Sequence, residues 1–222
     1  MKSSKGNKRS YLVVAMSIYI VLTTPIMLLF ATNWMFRYHF FNLMAHYRSK
    51  FAQPYTLHAG DSITAGAGHW SLLLGRNPFD SITLAENGYT VKQVTSKITS
   101  AKQYRPKTIS VMAGTNDVFH PRYQLEETLL DYKEMLDAAQ DAADICIVTL
   151  PPLTKNTSAS KSIAELNANI KPLIQKSKCR IIDLNPFLAP NGILLDRYTT
   201  DGVHLSRNAY DEWAKQLKTI LN

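Results

Sequence analysis

Ser62, in Gly60-Asp61-Ser62-Ile63-Thr64, follows a short apolar run. Asp201 and His204 lie together near the other end of the chain, in Asp201-Gly202-Val203-His204-Leu205-Ser206. A serine hydroxyl is a weak nucleophile until a base takes its proton, and an imidazole serves best as that base when a third group orients it. A carboxylate three residues before a histidine can reach back to the ring across a tight loop. These three groups, in the order Ser…Asp…His, are the parts of an acyl-transfer site. Each alone has a plainer reading: Ser62 as a helix cap after a strand, Asp201 as a cap of the last helix, His204 as a surface residue, and Asn116-Asp117 as a turn. Asp61 reads as a hydrogen-bonding tie for the serine loop. His58, in a strand, and His69, in a loop, read as structural. The histidines form no metal-ligand pattern, and the chemistry calls for no metal and no cofactor.

Parts so far apart in sequence need a scaffold that gathers loops. From Tyr55 onward, apolar strand-like runs alternate with helical patterns. Strands are expected over Tyr55 to Ala59, Ser81 to Leu84, Thr108 to Ala113, Asp144 to Leu150 and Cys179 to Leu184. Helices are expected around Trp70 to Leu74 and over Val91 to Tyr104, Tyr123 to Ala143, Ser160 to Ser177 and Leu205 to Leu221. In the second of these helices Val91, Val94, Ile98 and Ala101 share one face. Such alternation predicts an α/β domain whose parallel sheet is covered by helices on both faces. Ligands of open sheets of this kind bind beyond the carboxyl ends of the strands. Gly60-Asp61-Ser62, Asn87-Gly88, Gly114-Thr115-Asn116-Asp117 and the Asp201–His204 segment all follow strands, so four loops can converge on one rim.

The chain has 222 residues, 45% hydrophobic and 19% charged, which suits one packed domain plus an appendage. Its formal charge of +8 is unevenly placed. Residues 1–50 carry seven Lys or Arg and no acid, leaving 18 bases against 17 acids, a net of +1, in residues 51–222. The domain therefore lacks the electrostatic footprint of a nucleic-acid binder. Cys146 and Cys179 fit no metal-ligand spacing. Each lies in an apolar strand-like run and reads as a buried free thiol, with a disulfide left open should the domain face an oxidising compartment.

The N-terminal excess of bases flanks an apolar run. Residues 1–10 form a basic tail, and Tyr11 to Ala31 is uncharged and long enough for a transmembrane helix of about 20 residues. Trp34, Phe36, Tyr38, Phe40 and Phe41 follow as an aromatic belt would. The run exceeds the about 7–15 apolar residues of a cleaved signal, and Leu29-Phe30-Ala31 is a poor cleavage site. Residues 32–53 read as a juxtamembrane helical stalk, with aromatics against lipid or the domain, and 54–222 as the globular domain. The bias of positive charge predicts a single-pass protein of a bacterial inner membrane, its N-terminus cytoplasmic and its domain periplasmic or extracellular.

The chain resembles the SGNH hydrolases, the GDSL-like lipase and acylhydrolase superfamily, from about Tyr55 to the C-terminus. Gly60-Asp61-Ser62-Ile63-Thr64, Gly114-Thr115-Asn116-Asp117 and Asp201-Gly202-Val203-His204-Leu205-Ser206 match three of its blocks specifically. Asn87-Gly88-Tyr89-Thr90 matches a fourth loosely. The resemblance implies a three-layer α/β/α sandwich on a five-stranded parallel sheet, the flavodoxin-like SGNH fold. It also implies a serine esterase with Ser62, Asp201 and His204 as the triad. The oxyanion hole would be the backbone N–H of Ser62, the backbone N–H of Gly88 and the side-chain amide of Asn116. The family often has Gly-x-x-Gly in its second block, where this chain has Gly88 and Val91. If Gly88 matches the second glycine the site is intact, and the Gly-x-Thr order favours this; if it matches the first, Val91 supplies the N–H. Glu86 nearby has no assigned role. The substrate class implied is a small-molecule, lipid or glycan ester. Alternatives that keep the fold are an O-acyltransferase or deacetylase acting on surface glycans, and a non-catalytic binding module.

Overall fold

The computed structural model describes residues 4–221, with side chains from residue 14 onward apart from Ala15 and Trp34. By its contacts the chain forms two compact units, Met1–Phe40 and Phe41–Asn222. Helix α1 spans Ser4–Thr32 and α2 spans Trp34–Arg48. The second unit then runs β1 (Thr56–Gly60), α3 (Ser62–Ala65), α4 (Trp70–Leu73), β2 (Ser81–Ala85), α5 (Val91–Ala101), β3 (Thr108–Met112), α6 (Thr115–Phe119), α7 (Leu125–Ala142), β4 (Ile145–Thr149), α8 (Thr157–Lys176), β5 (Arg180–Ile182), α9 (Asn185–Leu188) and α10 (Arg207–Leu221).

The five strands form one parallel sheet in the order β2-β1-β3-β4-β5. Side chains alternate across it, as strand geometry requires. Leu57, Ala59, Ile109, Val111 and Val148 pack with α5, α7 and α8 on one face. Met112, Ile147 and Ile182 pack with α3, α4, α9 and α10 on the other. Both β1 and β3 are buried along their whole length. The expected three-layer arrangement and parallel sheet are present, with strand ends shifted by one or two residues.

The cysteines differ from the favoured expectation. Cys146 and Cys179 form a disulfide, with their Cα atoms 4.5 Å apart. Ile147 pairs with Arg180 in the β4–β5 ladder, so one step back in register sets the two cysteines side by side. Each lies in an apolar run, as read, but only the strand order makes them neighbours.

The N-terminal expectations fare differently along their length. The side chains of the basic tail 1–10, and of Tyr11 to Val13, lie outside the described residues. Among the described residues no single helix is long and apolar enough to cross a membrane. Met16–Thr32 and Met35–Arg48 are long and apolar enough only together, as a bent pair, by length and composition. Residues 41–52, read as the end of a stalk, pack in the second unit. Phe41 and Ala45 are buried. The Asn42 side-chain amide donates to the Thr83 carbonyl at 3.0 Å, and its oxygen accepts from the Thr83 N–H at 2.9 Å. Arg48 pairs with Asp80.

An open edge strand such as β2 exposes backbone donors and acceptors to any passing strand, and Asn42 occupies one pair of them. A chain starting at residue 54 is therefore expected to be less stable than one starting at 41. Two hydrogen bonds at about 0.5–1.5 kcal/mol each and the burial of Phe41 at about 1.5–3 kcal/mol set the scale of the loss. Paired thermal melts of the two chains would show it, and equal melting temperatures would count against this role for the segment.

Candidate active site

Ser62 is the first residue of a single helical turn at the end of β1. The Asp61 carboxylate caps that turn, accepting from the Ile63 N–H at 2.9 Å. One turn of helix cannot satisfy its own carbonyls, and two aromatic side chains do so instead. The Trp70 indole donates to the Thr64 carbonyl at 3.1 Å, and the Tyr210 hydroxyl donates to the Ile63 carbonyl at 2.7 Å. Gly60 must be glycine, because a Cβ there would lie 2.6 Å from the Met112 carbonyl and overlap the Thr64 hydroxyl.

The Asp201–His204 loop arrives from the C-terminal side of β5. Asp201 Oδ1 accepts from the Val203 N–H at 2.9 Å and the His204 N–H at 2.8 Å, and Oδ2 lies 2.6 Å from His204 Nδ1. On the far side of the ring, Nε2 is 3.0 Å from Ser62 Oγ. With the ring proton on Nδ1, held by Asp201, Nε2 presents its lone pair to the serine hydroxyl. The hydrogen bond from His204, reinforced by the two backbone N–H groups, holds the Asp201 carboxyl down at about 2.

Thr199, which carries no motif, ties both ends of this loop. Its hydroxyl donates to the His204 carbonyl and accepts from the Gly202 N–H, each at 2.8 Å. The Lys155 N–H donates to the Gly202 carbonyl at 2.7 Å, fixing the loop to the segment after β4. Only the three-dimensional path of the loop reveals these ties.

β1 lies between β2 and β3, so the loops that follow those two strands meet beside the serine loop on the same rim. The Tyr89 N–H donates to the Glu86 carbonyl at 3.4 Å, closing a turn in which Gly88 has φ of 80°, a conformation that favours glycine. Glu86, unassigned from sequence, accepts from the Tyr89 hydroxyl at 2.6 Å and so braces this turn. The Asn116 amide donates to the Tyr89 carbonyl at 2.9 Å. The Val91 N–H donates to the buried Asp117 carboxylate, 3.0 Å from Oδ2. Val91 thus has its N–H committed at the start of α5, whereas Gly88 is exposed at the tip of the turn. Two adjacent residues of α6 therefore grip the 86–91 loop at two points.

His58 and His69 belong to the core side of the domain. His58 stacks on Trp70 with ring centroids 4.7 Å apart, and burial depresses its pKa to about 3. Burial likewise lowers His69 to about 4. Among the described residues no group of three or more His, Cys, Asp or Glu is placed to hold a metal ion.

Burial has the opposite effect on the acids under the rim. It raises the Asp61 carboxyl to about 7 against the pull of the Ile63 and Thr64 N–H groups, and raises Asp117 to about 6. The folded state therefore holds the Asp61 proton more tightly than the unfolded chain, whose value is near 3.8. This contribution to stability is complete below the unfolded value and is lost as pH rises through the folded one. Asp61→Asn keeps an oxygen for the Ile63 N–H and removes the ionisation. Its melting temperature is expected to fall less than that of the wild type between pH 4 and pH 8 (roughly the window set by these two values). Parallel slopes in a pH series of melts would contradict this.

A parallel α/β/α sandwich with a Ser–His–Asp relay at its carboxyl rim defines a class of serine hydrolase. The sequence model of the GDSL-like lipase/acylhydrolase family matches residues 59–212. The chain belongs to that family, and it is an ester-hydrolysing serine hydrolase. Among curated proteins none matches it in sequence. Among solved structures it is similar to a GDSL-like lipase from Bacteroides thetaiotaomicron, with 22% identity, TM-score 0.68, and 82% of this chain and 96% of that chain covered. It is also similar to the lipase/acylhydrolase from Enterococcus faecalis, at 18% identity and TM-score 0.62, covering 76% and 95%. A carbohydrate esterase family 3 protein from Talaromyces cellulolyticus matches at 20% identity and TM-score 0.59, covering 75% and 95%. At these identities the structural likeness concerns the fold.

Proposed function

We propose that this chain cleaves a carboxylic ester through an acyl-enzyme on Ser62. The observation that carries the reading is the unbroken relay from Asp201 Oδ2 through both His204 nitrogens to Ser62 Oγ, with steps of 2.6 and 3.0 Å. His204 takes the hydroxyl proton as Ser62 attacks the carbonyl carbon, then gives it to the departing alkoxide. Asp201 fixes the ring and stabilises its cationic form. Water, deprotonated by the same imidazole, clears the acyl group. The developing oxyanion is held by the Ser62 N–H, the Gly88 N–H and the Asn116 amide. The commitment of the Val91 N–H to Asp117 supports Gly88, not Val91, as the middle donor.

The same reading places the enzyme on a membrane, single-pass, in a bacterial inner membrane with the catalytic domain outside. Ile18, Tyr19, Ile20, Val21 and Leu22 are all exposed on α1. Five consecutive residues cover every side of a helix, and apolar side chains all round suit lipid, not water. The disulfide fits an oxidising compartment. A second reading, deacetylation or acyl transfer on surface glycans, draws support from the half-exposed Asp201 and His204, which a bulky polymer can approach. The likeness to a carbohydrate esterase agrees with it.

A fluorophosphonate probe tests the nucleophile. Labelling of the full chain should map to the peptide holding Ser62, and labelling elsewhere, or none, would remove the acyl-enzyme assignment. A glycan acceptor supplied with the ester, with products weighed by mass spectrometry, separates transfer from hydrolysis.

A further inference from the structure

We propose that the catalytic unit itself rests on an anionic lipid surface through one stripe of its N-terminal segment, Leu43, Tyr47 and Phe51. The inference rests on the membrane reading above and adds to it a second contact, made by the domain. The stripe follows from helical spacing. Positions 43, 47 and 51 recur every four residues and share one side of α2 and its following turn. Phe41, Ala45 and the Asn42 amide point into the domain, whereas Leu43 is 66% exposed, Tyr47 58% and Phe51 77%. Each is large, and the three sit together, unlike the isolated apolar residues normal on a surface.

The chemistry around the stripe selects its partner. The Lys50 ammonium lies 5.6 Å from the centre of the Tyr47 ring, and the Tyr47 and Phe51 rings touch edge to face. Leu43, Tyr47 and Lys50 line an open groove of about 340 Å³ together with Gln103 and Tyr104. No acid occurs anywhere from residue 1 to 60, and the described helix immediately upstream is apolar over Met16–Thr32. Tyrosine and phenylalanine beside lysine, with acids excluded, is the composition of an interfacial segment that meets anionic headgroups with its bases and the acyl boundary with its rings. A second copy docked symmetrically on this face would set Lys50 against Lys50 with no acid in the segment to offset it.

Position gives the contact a consequence. Asn42 binds Thr83 within β2, and Arg48 binds Asp80, ahead of that strand. From residue 42 to 48 the helix therefore runs along the sheet edge toward the amino ends of the strands. Ser62, Gly88 and Asn116 follow their carboxyl ends. A bilayer touching the stripe leaves the catalytic rim clear, so that substrate arrives from the aqueous side.

The test uses the full chain in vesicles of phosphatidylcholine and phosphatidylglycerol with brominated acyl chains. Tyr47→Trp in a Trp34→Phe background reports on the stripe, since Trp70 and Trp213 are buried. Bromine lies within reach of a ring sunk about 5–10 Å into the headgroup boundary, so emission from position 47 should be quenched and shifted to the blue. Leu130→Trp, on the exposed face of α7, should stay unquenched. Unquenched emission at position 47 in a vesicle-bound chain, or quenching equal at 47 and 130, would overturn the docking surface and leave the anchor standing. A chain that fails to associate with vesicles would overturn both. Turnover of a soluble nitrophenyl ester should be the same in all these variants, which keeps failure here separate from failure of the Ser62 mechanism.

Discussion

Ser62→Ala is expected to abolish ester turnover while leaving the fold untouched. Serine triads lose roughly 10⁴–10⁶-fold in kcat when the nucleophile is removed, because the remaining groups act as a unit that has nothing left to activate. Among the described residues the hydroxyl hydrogen-bonds with His204 Nε2. The packing that holds the turn belongs to its neighbours: Ile63 is buried, Asp61 caps the turn, and Trp70 and Tyr210 bond to the carbonyls of Thr64 and Ile63. Deleting Oγ leaves Nε2 of a half-exposed imidazole side chain for water to satisfy, so stability should move by no more than about 0.5 kcal/mol. A nitrophenyl acetate assay beside a circular-dichroism melt checks both halves. Turnover close to that of the wild type would show that Ser62 is not the nucleophile. A large fall in melting temperature would show that the hydroxyl holds the turn together.

Much of this site was legible because its parts are local. Asp201 and His204 are three residues apart, and the turn between them makes its own hydrogen bonds through the Val203 and His204 N–H groups. The strands were legible for a similar reason, since a parallel sheet covered on both faces leaves short apolar runs bounded by polar turns. What was not legible depends on which strands lie side by side. Nothing in the spacing of Cys146 and Cys179 says that β4 and β5 are neighbours, yet that adjacency makes the disulfide. The same holds for Asn42. An asparagine on an amphipathic segment gives no sign that its amide will meet the free edge of a strand 41 residues later. Thr199 is invisible on other grounds, because its hydroxyl acts only once the loop has folded back on itself.

The choice between Gly88 and Val91 as the proposed oxyanion donor draws on geometry that the motif does not carry. The motif allows either alignment. The Asp117 carboxylate takes the Val91 N–H as α5 begins, and a donor held in that bond cannot also turn to an oxyanion. Asn116, the residue before, uses one amide hydrogen on the Tyr89 carbonyl and keeps the other. That bond fixes the plane of the amide before substrate arrives, which is what makes such a donor effective, since no reorganisation is needed as charge develops. Asn116→Ala should therefore lower kcat by roughly 10²–10³-fold, or about 2.7–4 kcal/mol, with KM little changed. The split matters. Loss of a donor that acts only on the oxyanion appears in kcat and in kcat/KM equally, whereas a collapsed 86–91 loop would spoil substrate binding and raise KM. Because the Asp117 bond to Val91 remains in this variant, the loop keeps one of its two ties and a change confined to kcat is the expected outcome. An unchanged kcat would take Asn116 out of the oxyanion hole, and a change confined to KM would assign it to binding.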